Sequence, residues 1–221
     1  MVAPDSGDRL AAARDLVLPD CRPTVTVALV AALTAVFLAQ VAFVPAACSR
    51  ATYPAYCGVF VLAHGSTVAG LLLLPFLHGF PLHAGVNAAM LLFFGAHSEC
   101  RFGRRRLLVA FLTAAYLGTF VQILWNLGGA GSPLALGASG GVYALAVAPG
   151  VAALLEHGRS LPDYERDAPF AVIGALVFVS AVLGVLGVLP NAGQTATVAH
   201  LVGALLGAFY GALWSAVETA G

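Results

Sequence analysis

The chain has 221 residues, of which 60% are hydrophobic and 9% are charged, whereas ordinary soluble domains have about 25% charged residues. Acidic and basic residues number ten each, so the formal net charge is zero. This composition excludes a soluble globular protein of this length, and the lack of a basic excess excludes a nucleic-acid-binding protein. It indicates several membrane spans in one domain.

The first residues, 1–23, are polar, rich in Asp and Arg, and interrupted by proline, which is unlike a signal peptide. We expect them to form a cytoplasmic N-terminal segment, followed by a six-span membrane domain over residues 24–217. Each apolar run is close to the length of about 20 residues that a bilayer requires. The runs predict spans over residues 24–44, 83–99, 107–127, 139–155, 168–189 and 196–217.

A long mixed connection, residues 45–82, contains a stretch at 58–77 that is apolar enough to be a seventh span. The arginines decide between the two topologies. Six spans with a cytoplasmic N-terminus put nine of the ten arginines inside and only Arg50 outside, as the positive-inside rule requires. A seven-span topology with the N-terminus outside would put three arginines, Arg9, Arg14 and Arg22, on the outer face. We therefore expect 58–77 to be a lateral or re-entrant segment, and both termini to be cytoplasmic.

Polar residues from three spans are expected at one membrane depth. In this topology the second, fourth and sixth spans all run from outside to inside. His83 and Asn87 begin the second span, and Ser139 begins the fourth. His200 lies one turn into the sixth. Polar groups within a membrane are costly and are functional candidates by default, so the sequence predicts a site near the outer face.

Three short motifs contain these residues: 83–87 reads HAGVN, 137–143 reads GASGGVY, and 199–207 reads AHLVGALLG. The last two resemble the signature motifs of the rhomboid intramembrane serine proteases, and the first resembles the family's second-span motif. Phe94-Gly95, followed by Glu99, is similar to the end of that span. The resemblance extends over roughly residues 75–211, and it implies an all-α polytopic membrane fold with six transmembrane helices.

The resemblance also implies roles for individual residues. Ser139 would attack the peptide carbonyl, and His200 would take the serine proton and pass it to the leaving amine. Tyr143, one turn after the serine, would stack on the histidine ring. The oxyanion pocket would consist of His83, Asn87 and the backbone N–H of Ser139. No cofactor or metal is implied, and the sequence lacks the H-E-x-x-H motif of zinc proteases.

Small residues are expected to bring the fourth and sixth helices together around the site. They recur at a spacing of four, which places them on one helix face and allows close approach of two backbones. A Ser–His hydrogen bond of about 2.6–3.2 Å requires such an approach. The small residues are Gly203, Gly207 and Gly211 on the sixth helix, Gly140, Ala144 and Ala148 on the fourth, and Gly137 before it.

The remaining reactive residues are given structural interpretations. Cys48 and Cys57 lie in the outer connection, where a disulfide is expected, whereas Cys21 and Cys100 are expected to be free cytoplasmic thiols. His78 is interpreted as a packing or loop-anchoring residue. Structural or interfacial positions are expected for the other unassigned histidines, His64, His97 and His157. The arginines of 101–106 are interpreted as a topological anchor.

The sequence therefore predicts a membrane protease that cleaves peptide bonds in or beside transmembrane segments of other membrane proteins. Its partners would be those substrates and the lipid bilayer, and the resemblance implies substrate access beside residues 168–198. The alternative is a non-proteolytic rhomboid-like scaffold that binds membrane clients. A small transporter would require paired intramembrane charges or inverted repeats, and the sequence contains neither. No particular substrate or oligomeric state is indicated.

Overall fold

The computed structural model describes residues 21–42, 72–128, 135–156, 168–189 and 196–219. Within these ranges the chain forms helices and no strand, which confirms the predicted all-α fold. The helices are α1 (Thr24–Ala42), α2 (Pro81–Phe102), α3 (Arg104–Leu127), α4 (Ser139–Glu156), α5 (Ala168–Val185) and α6 (Thr197–Thr219). A 3-10 turn, Leu74–Phe76, precedes α2. Most of the expected lateral segment at 58–77 lies outside the described residues.

Five of the helices in these ranges are long and apolar enough to cross a membrane, so the protein is a multi-pass membrane protein. The exception is α2, whose 22 residues span about 33 Å and would match a hydrocarbon core of about 30 Å. Polar side chains such as Asn87, Ser98 and Glu99 lower its mean hydropathy. The crossing of the membrane by α2 stays a prediction.

The central helix of the bundle is α4, which contacts α2, α3, α5 and α6. In its most apolar stretch 67% of the residues are buried in protein, against 22% for α1. Small side chains make this burial possible, since α4 is composed largely of Gly, Ala and Val. The helix that begins with Ser139 is therefore enclosed by its neighbours, whereas α1 lies at the periphery.

Three turns of α6 rest directly on the backbone of α4. A Cβ atom added to any of three glycines of α6 would collide with a carbonyl group of α4. The facing pairs are Gly203 with Gly140, Gly207 with Ala144, and Gly211 with Ala148. This is the close packing of small residues at a spacing of four, and it fixes the register between the two helices.

The start of α1 is held against the end of α2 by Glu99. The carboxylate accepts hydrogen bonds from the backbone N–H groups of Val25 and Thr26, at 3.0 and 2.7 Å, and from the Thr26 hydroxyl at 2.8 Å. It thus caps α1, because Pro23 at the N-cap position has no acceptor in its side chain.

This junction corrects the prediction that Cys21 and Cys100 are free thiols. The two cysteines form a disulfide, with Cα atoms 5.5 Å apart. Glu99 brings them together, since it is the chain neighbour of Cys100 and binds the helix that begins three residues after Cys21. The predicted pair Cys48–Cys57 lies outside the described residues, as do His64 and His157.

Two arginine ion pairs lie at the end of the bundle opposite Ser139. Arg101 of α2 pairs with Glu156 at the end of α4, at 2.6 Å. Arg106 of α3 pairs with Glu218 near the end of α6, at 2.5 Å, and its guanidinium group lies over the Trp214 ring. These ion pairs tie the ends of four helices together.

Candidate active site

The backbone just before Ser139 has a conformation that requires a glycine. Gly137 has φ +119°, a conformation that glycine adopts readily and other residues rarely do. Its N–H donates to the Leu74 carbonyl at 3.1 Å. A Cβ atom at Gly137 would lie 3.1 Å from Cε1 of His83, so space as well as conformation favours glycine there. The segment before α2 and the loop before α4 are therefore docked on each other, and Ser139 begins α4 directly afterwards.

Ser139 and His200 are in hydrogen-bond contact, although 61 residues separate them in sequence. The distance between Ser139 Oγ and His200 Nε2 is 2.9 Å. A neutral imidazole protonated at Nδ1 presents a lone pair at Nε2, which can accept the serine hydroxyl proton. The pair thus has the geometry of a nucleophile and its general base.

The His200 ring is stacked on Tyr143. The two ring centroids are 4.2 Å apart and the ring planes differ by 6°. Tyr143 follows Ser139 by one helical turn, so both side chains lie on the same side of α4. The Ser139 hydroxyl contacts the edge of the imidazole ring, and the Tyr143 ring covers its face. The stack restricts rotation of the imidazole and keeps Nε2 directed at Ser139.

Gly140 allows α3 and α6 to approach the serine closely. A Cβ atom at Gly140 would lie 2.9 Å from the carbonyl oxygen of Ala114 in α3 and 3.4 Å from that of Ala199 in α6. Gly203, one turn after His200, faces the Gly140 carbonyl. Side chains at these glycines would push apart the helices that carry Ser139 and His200.

The structure brings His83 to the serine loop. Its ring lies edge-on to that of His78, with centroids 4.9 Å apart, and packs against Gly137. Asn87 lies one turn further along α2 and is buried. Its side-chain amide donates to the carbonyl of His83 at 2.9 Å, so in this state it is directed along its own helix.

His78, which the sequence indicates as a loop anchor, supports the residue before the serine. Its Nδ1–H donates to the Phe76 carbonyl at 3.0 Å, which leaves Nε2 as the acceptor for the Ala138 N–H at 3.5 Å. The side-chain amide of Gln40 in α1 bonds both backbone groups of His78, at 3.0 and 3.2 Å. His78 lies outside the membrane-spanning helices and is fully buried. This burial, reinforced by nearby His83, lowers its pKa from 6.5 to about 4 despite the bond to Phe76.

Two buried glutamines near the site were not among the residues predicted from the sequence. Gln40 forms two hydrogen bonds with the backbone of His78. Gln122 of α3 accepts hydrogen bonds from the N–H groups of Val198 and Ala199, just before His200. Both lie in otherwise apolar spans. A polar side chain in such a span is by itself a functional signal, and it could have identified them.

Other polar residues lie away from the dyad. His97 of α2 stacks on Phe170 of α5, with ring centroids 3.4 Å apart. Within the described residues, no three His, Cys, Asp or Glu side chains lie close enough together to hold a metal ion.

The bundle, with its buried central helix, defines an all-α polytopic membrane protein. A family model, the rhomboid domain, matches residues 65–217, which is more than half of the chain. The chain therefore belongs to the rhomboid family, whose members are usually intramembrane proteases, although some rhomboid-like members are inactive. Comparison with curated proteins and with solved structures gave no significant match.

Proposed function

We propose that this protein is an intramembrane serine endopeptidase that cleaves peptide bonds in or near transmembrane segments of other membrane proteins. The observation that carries the proposal is the 2.9 Å contact between Ser139 Oγ and His200 Nε2 at the start of a buried helix. A lone serine in a membrane helix commonly bonds to a carbonyl of its own preceding turn. Here the hydroxyl faces an imidazole from another helix, in a chain of the rhomboid family.

The proposed reaction proceeds through an acyl-enzyme. Ser139 Oγ attacks the peptide carbonyl carbon while its proton passes to His200 Nε2. Collapse of the tetrahedral intermediate breaks the C–N bond, and His200 returns the proton to the leaving amine. A water molecule then attacks the ester while its proton passes to His200. The bond between the acyl carbon and Ser139 Oγ breaks, His200 returns the proton to Oγ, and the carboxylate product is released. Stacking on Tyr143 orients His200 in this scheme, a task that Asp performs in three-residue serine proteases.

The proposed oxyanion pocket surrounds the start of α4. As the first helical residue, Ser139 has a backbone N–H without an acceptor inside its own helix, at the positive end of the helix dipole. His83 lies beside the serine loop and can supply a second donor. The third, Asn87, would have to turn its amide away from the His83 carbonyl when the oxyanion forms. Donors of this kind stabilise charge that develops only in the transition state.

The proposed orientation follows from the arginines. Residues 1–23 would be a cytoplasmic segment, residues 24–217 the membrane domain, and both termini cytoplasmic. Arg101 and Arg106 lie at the end of the bundle opposite Ser139, and the positive-inside rule therefore supports a dyad that faces the outer side. Substrates would be transmembrane proteins within the bilayer, entering beside α5.

A fluorophosphonate probe tests the proposal, because it labels an activated serine. We expect the purified protein to be labelled and to cleave a model transmembrane substrate, and the Ser139→Ala and His200→Ala variants to do neither while remaining folded. The double variant should be no worse than either single variant, since the two residues act as a unit. Full cleavage by Ser139→Ala would refute the protease. Client binding without labelling would instead support the scaffold.

A further inference from the structure

The start of α6 lacks the side chain that usually closes a helix N-terminus. The helix begins at Thr197, and its N-cap residue is Ala196, which has no side-chain acceptor. Ser, Thr, Asp and Asn are preferred at that position because their oxygen accepts an N–H of the second or third helical residue. In α6 those residues are Val198 and Ala199, and both are buried. Buried N–H groups require a partner, which must come from elsewhere.

Gln122 of α3 provides that partner. Its Oε1 accepts the N–H of Val198 at 2.9 Å and that of Ala199 at 3.1 Å. Because two N–H donors converge on this atom, it must be the amide oxygen. Its Nε2 donates to Asn126 Oδ1 at 2.9 Å, which holds the amide in this orientation. Gln122 is buried, so water does not compete for the same N–H groups.

The carbonyl group of Ala199 also packs closely against two neighbouring helices. A Cβ atom at Gly118, one turn before Gln122 on α3, would lie 2.9 Å from the Ala199 oxygen. On the other side, a Cβ atom at Gly140 of α4 would lie 3.4 Å from it. Both backbone polar groups of Ala199 are thus restrained by neighbouring helices, and the next residue in the chain is His200.

We propose that Gln122 is a positioning residue for His200. As an N-cap supplied by another helix, it sets the depth and the rotation of α6, so that Nε2 of His200 meets Oγ of Ser139. This inference rests on the proposed protease function, since the position of the imidazole matters for a rate only if the pair reacts. A misplacement of about 1 Å can cost roughly a hundredfold in rate.

The decisive variant is Gln122→Met, which keeps the length of the side chain and removes the acceptor. In proteoliposomes with a transmembrane substrate, we expect its kcat to fall by roughly ten- to a hundredfold, with KM unchanged within about twofold. A role confined to stability would lower the unfolding temperature and leave the kcat of the folded protein at the native value.

Ser98→Ala is the matched control. The Ser98 hydroxyl of α2 donates to the Leu145 carbonyl of α4 at 3.0 Å, so the control also removes a buried hydrogen bond between two helices, away from His200. We expect it to lower the unfolding temperature to a similar extent and to retain the native kcat. Comparison of the two variants separates stability from positioning.

Two conservative variants complete the test. Gln122→Glu retains an acceptor for both N–H groups, and a negative charge is favourable at a helix N-terminus, so its kcat should stay within about threefold of the wild type. Asn126 can then rotate its amide to donate to the carboxylate. Gln122→Asn is one methylene shorter and cannot reach both N–H groups, so it should be folded and slow. If Gln122→Met does not fold, Gln122→Asn serves as the test variant.

The outcomes distinguish the two proposals. If the wild type cleaves the substrate and Ser139→Ala does not, the protease proposal is supported. The Gln122 variants, measured in the same assay, then test the positioning role separately. A native kcat in Gln122→Asn, or in a folded Gln122→Met, overturns the positioning role. So does a Glu variant as slow as the Asn variant. A wild type that neither cleaves nor is labelled by fluorophosphonate overturns the protease, and this inference with it.

Discussion

The imidazole of His200 is restrained at its face and at its edge. Tyr143 covers the face at 4.2 Å between centroids, and the Ser139 hydroxyl meets the edge at 2.9 Å. Stacking fixes the plane of the ring but would supply no negative charge to the imidazolium of the proposed acylation step. At the scale of single residues, the proposed dyad therefore depends on ring orientation more than a carboxylate-assisted triad does.

Replacement of Tyr143 measures this dependence. Tyr143→Ala should lower kcat about tenfold, because an aromatic stack contributes about 0.5–1.5 kcal/mol and 1.36 kcal/mol is a factor of ten in rate. Tyr143→Phe keeps the ring and should stay within about threefold of the wild type. Steady-state cleavage of one transmembrane substrate by both variants provides the measurement. Equal losses in the two variants would show that the hydroxyl, and not the stack, is what matters.

The protonation of His78 should make the protein less stable in acid. Its pKa is about 4 in the folded protein and about 6.5 when exposed, so the unfolded chain binds more protons between those values. The contribution is fully present above pH 6.5 and is lost as the pH falls toward 4. It amounts to about 3 kcal/mol at most. A charged ring would also lose the Nε2 lone pair that accepts the Ala138 N–H, and the charge would lie beside His83.

Thermal unfolding of the wild type and of His78→Phe at several pH values tests this account. The variant should be less stable at pH 7, and its unfolding temperature should fall less steeply than that of the wild type between pH 6.5 and 4. Parallel curves for the two proteins would assign the acid sensitivity to other groups, of which His83 is the nearest titratable neighbour.

At the scale of helices, local patterns were predictable and long-range polar contacts were not. Glycines at a spacing of four indicated which face of α6 meets α4, because helix periodicity places them on one side. No such pattern connects Gln122 to Val198, or Glu99 to Val25. Each of these contacts joins a side chain to a backbone group more than 70 residues away in the sequence. Nothing about a Gln or Glu residue in the sequence indicates which helix end its side chain will cap.

The contact of Gly203 with the α4 backbone predicts a severe effect of substitution. Gly203→Leu would place a side chain where even a Cβ atom collides with Gly140. Overpacking typically costs about 1–3 kcal/mol, and separation of the helices by about 1 Å would slow cleavage roughly a hundredfold. We expect a folded protein with little activity, as measured by thermal unfolding and substrate cleavage in parallel.

The control for that variant is Leu205→Ala on the same helix. From sequence alone Leu201→Ala would be expected to retain substantial activity, but Leu201 packs against the buried cluster formed by Val147, Ala181 and Ala204. Leu205 is 52% exposed and is therefore the more neutral site. A native cleavage rate in Gly203→Leu would show that the close contact of α4 and α6 does not position His200.

For the molecule as a whole, composition and motifs predicted the number and order of the described helices, because spans are local features of sequence. The disulfide was not predictable, since Cys21 and Cys100 are 79 residues apart in the sequence and are brought together by the hydrogen bonds of Glu99 to the start of α1. The disulfide and the arginines favour opposite environments for this end of the bundle. Disulfides persist in oxidising compartments, whereas arginines accumulate on the cytoplasmic side.

Cysteine labelling decides the orientation. In a Cys-free background, a membrane-impermeant maleimide applied to intact cells should reach the R50C variant and miss the R104C variant, as the nine-to-one distribution of arginines predicts. Permeabilised cells, in which both positions become accessible, are the control. Labelling of position 104 from outside would reverse the proposed topology and place the disulfide in the oxidising compartment.

The bond between Cys21 and Cys100 also turns part of the chain into a covalent ring. The ring contains α1, the connection that follows it and nearly all of α2. A single protease cut within residues 43–71 would therefore yield two fragments that migrate together on a denaturing gel until a reductant separates them. Ser139 and His200 would both remain on the larger fragment. Gln40, which is hydrogen-bonded to His78, would be linked covalently to that fragment through the disulfide alone.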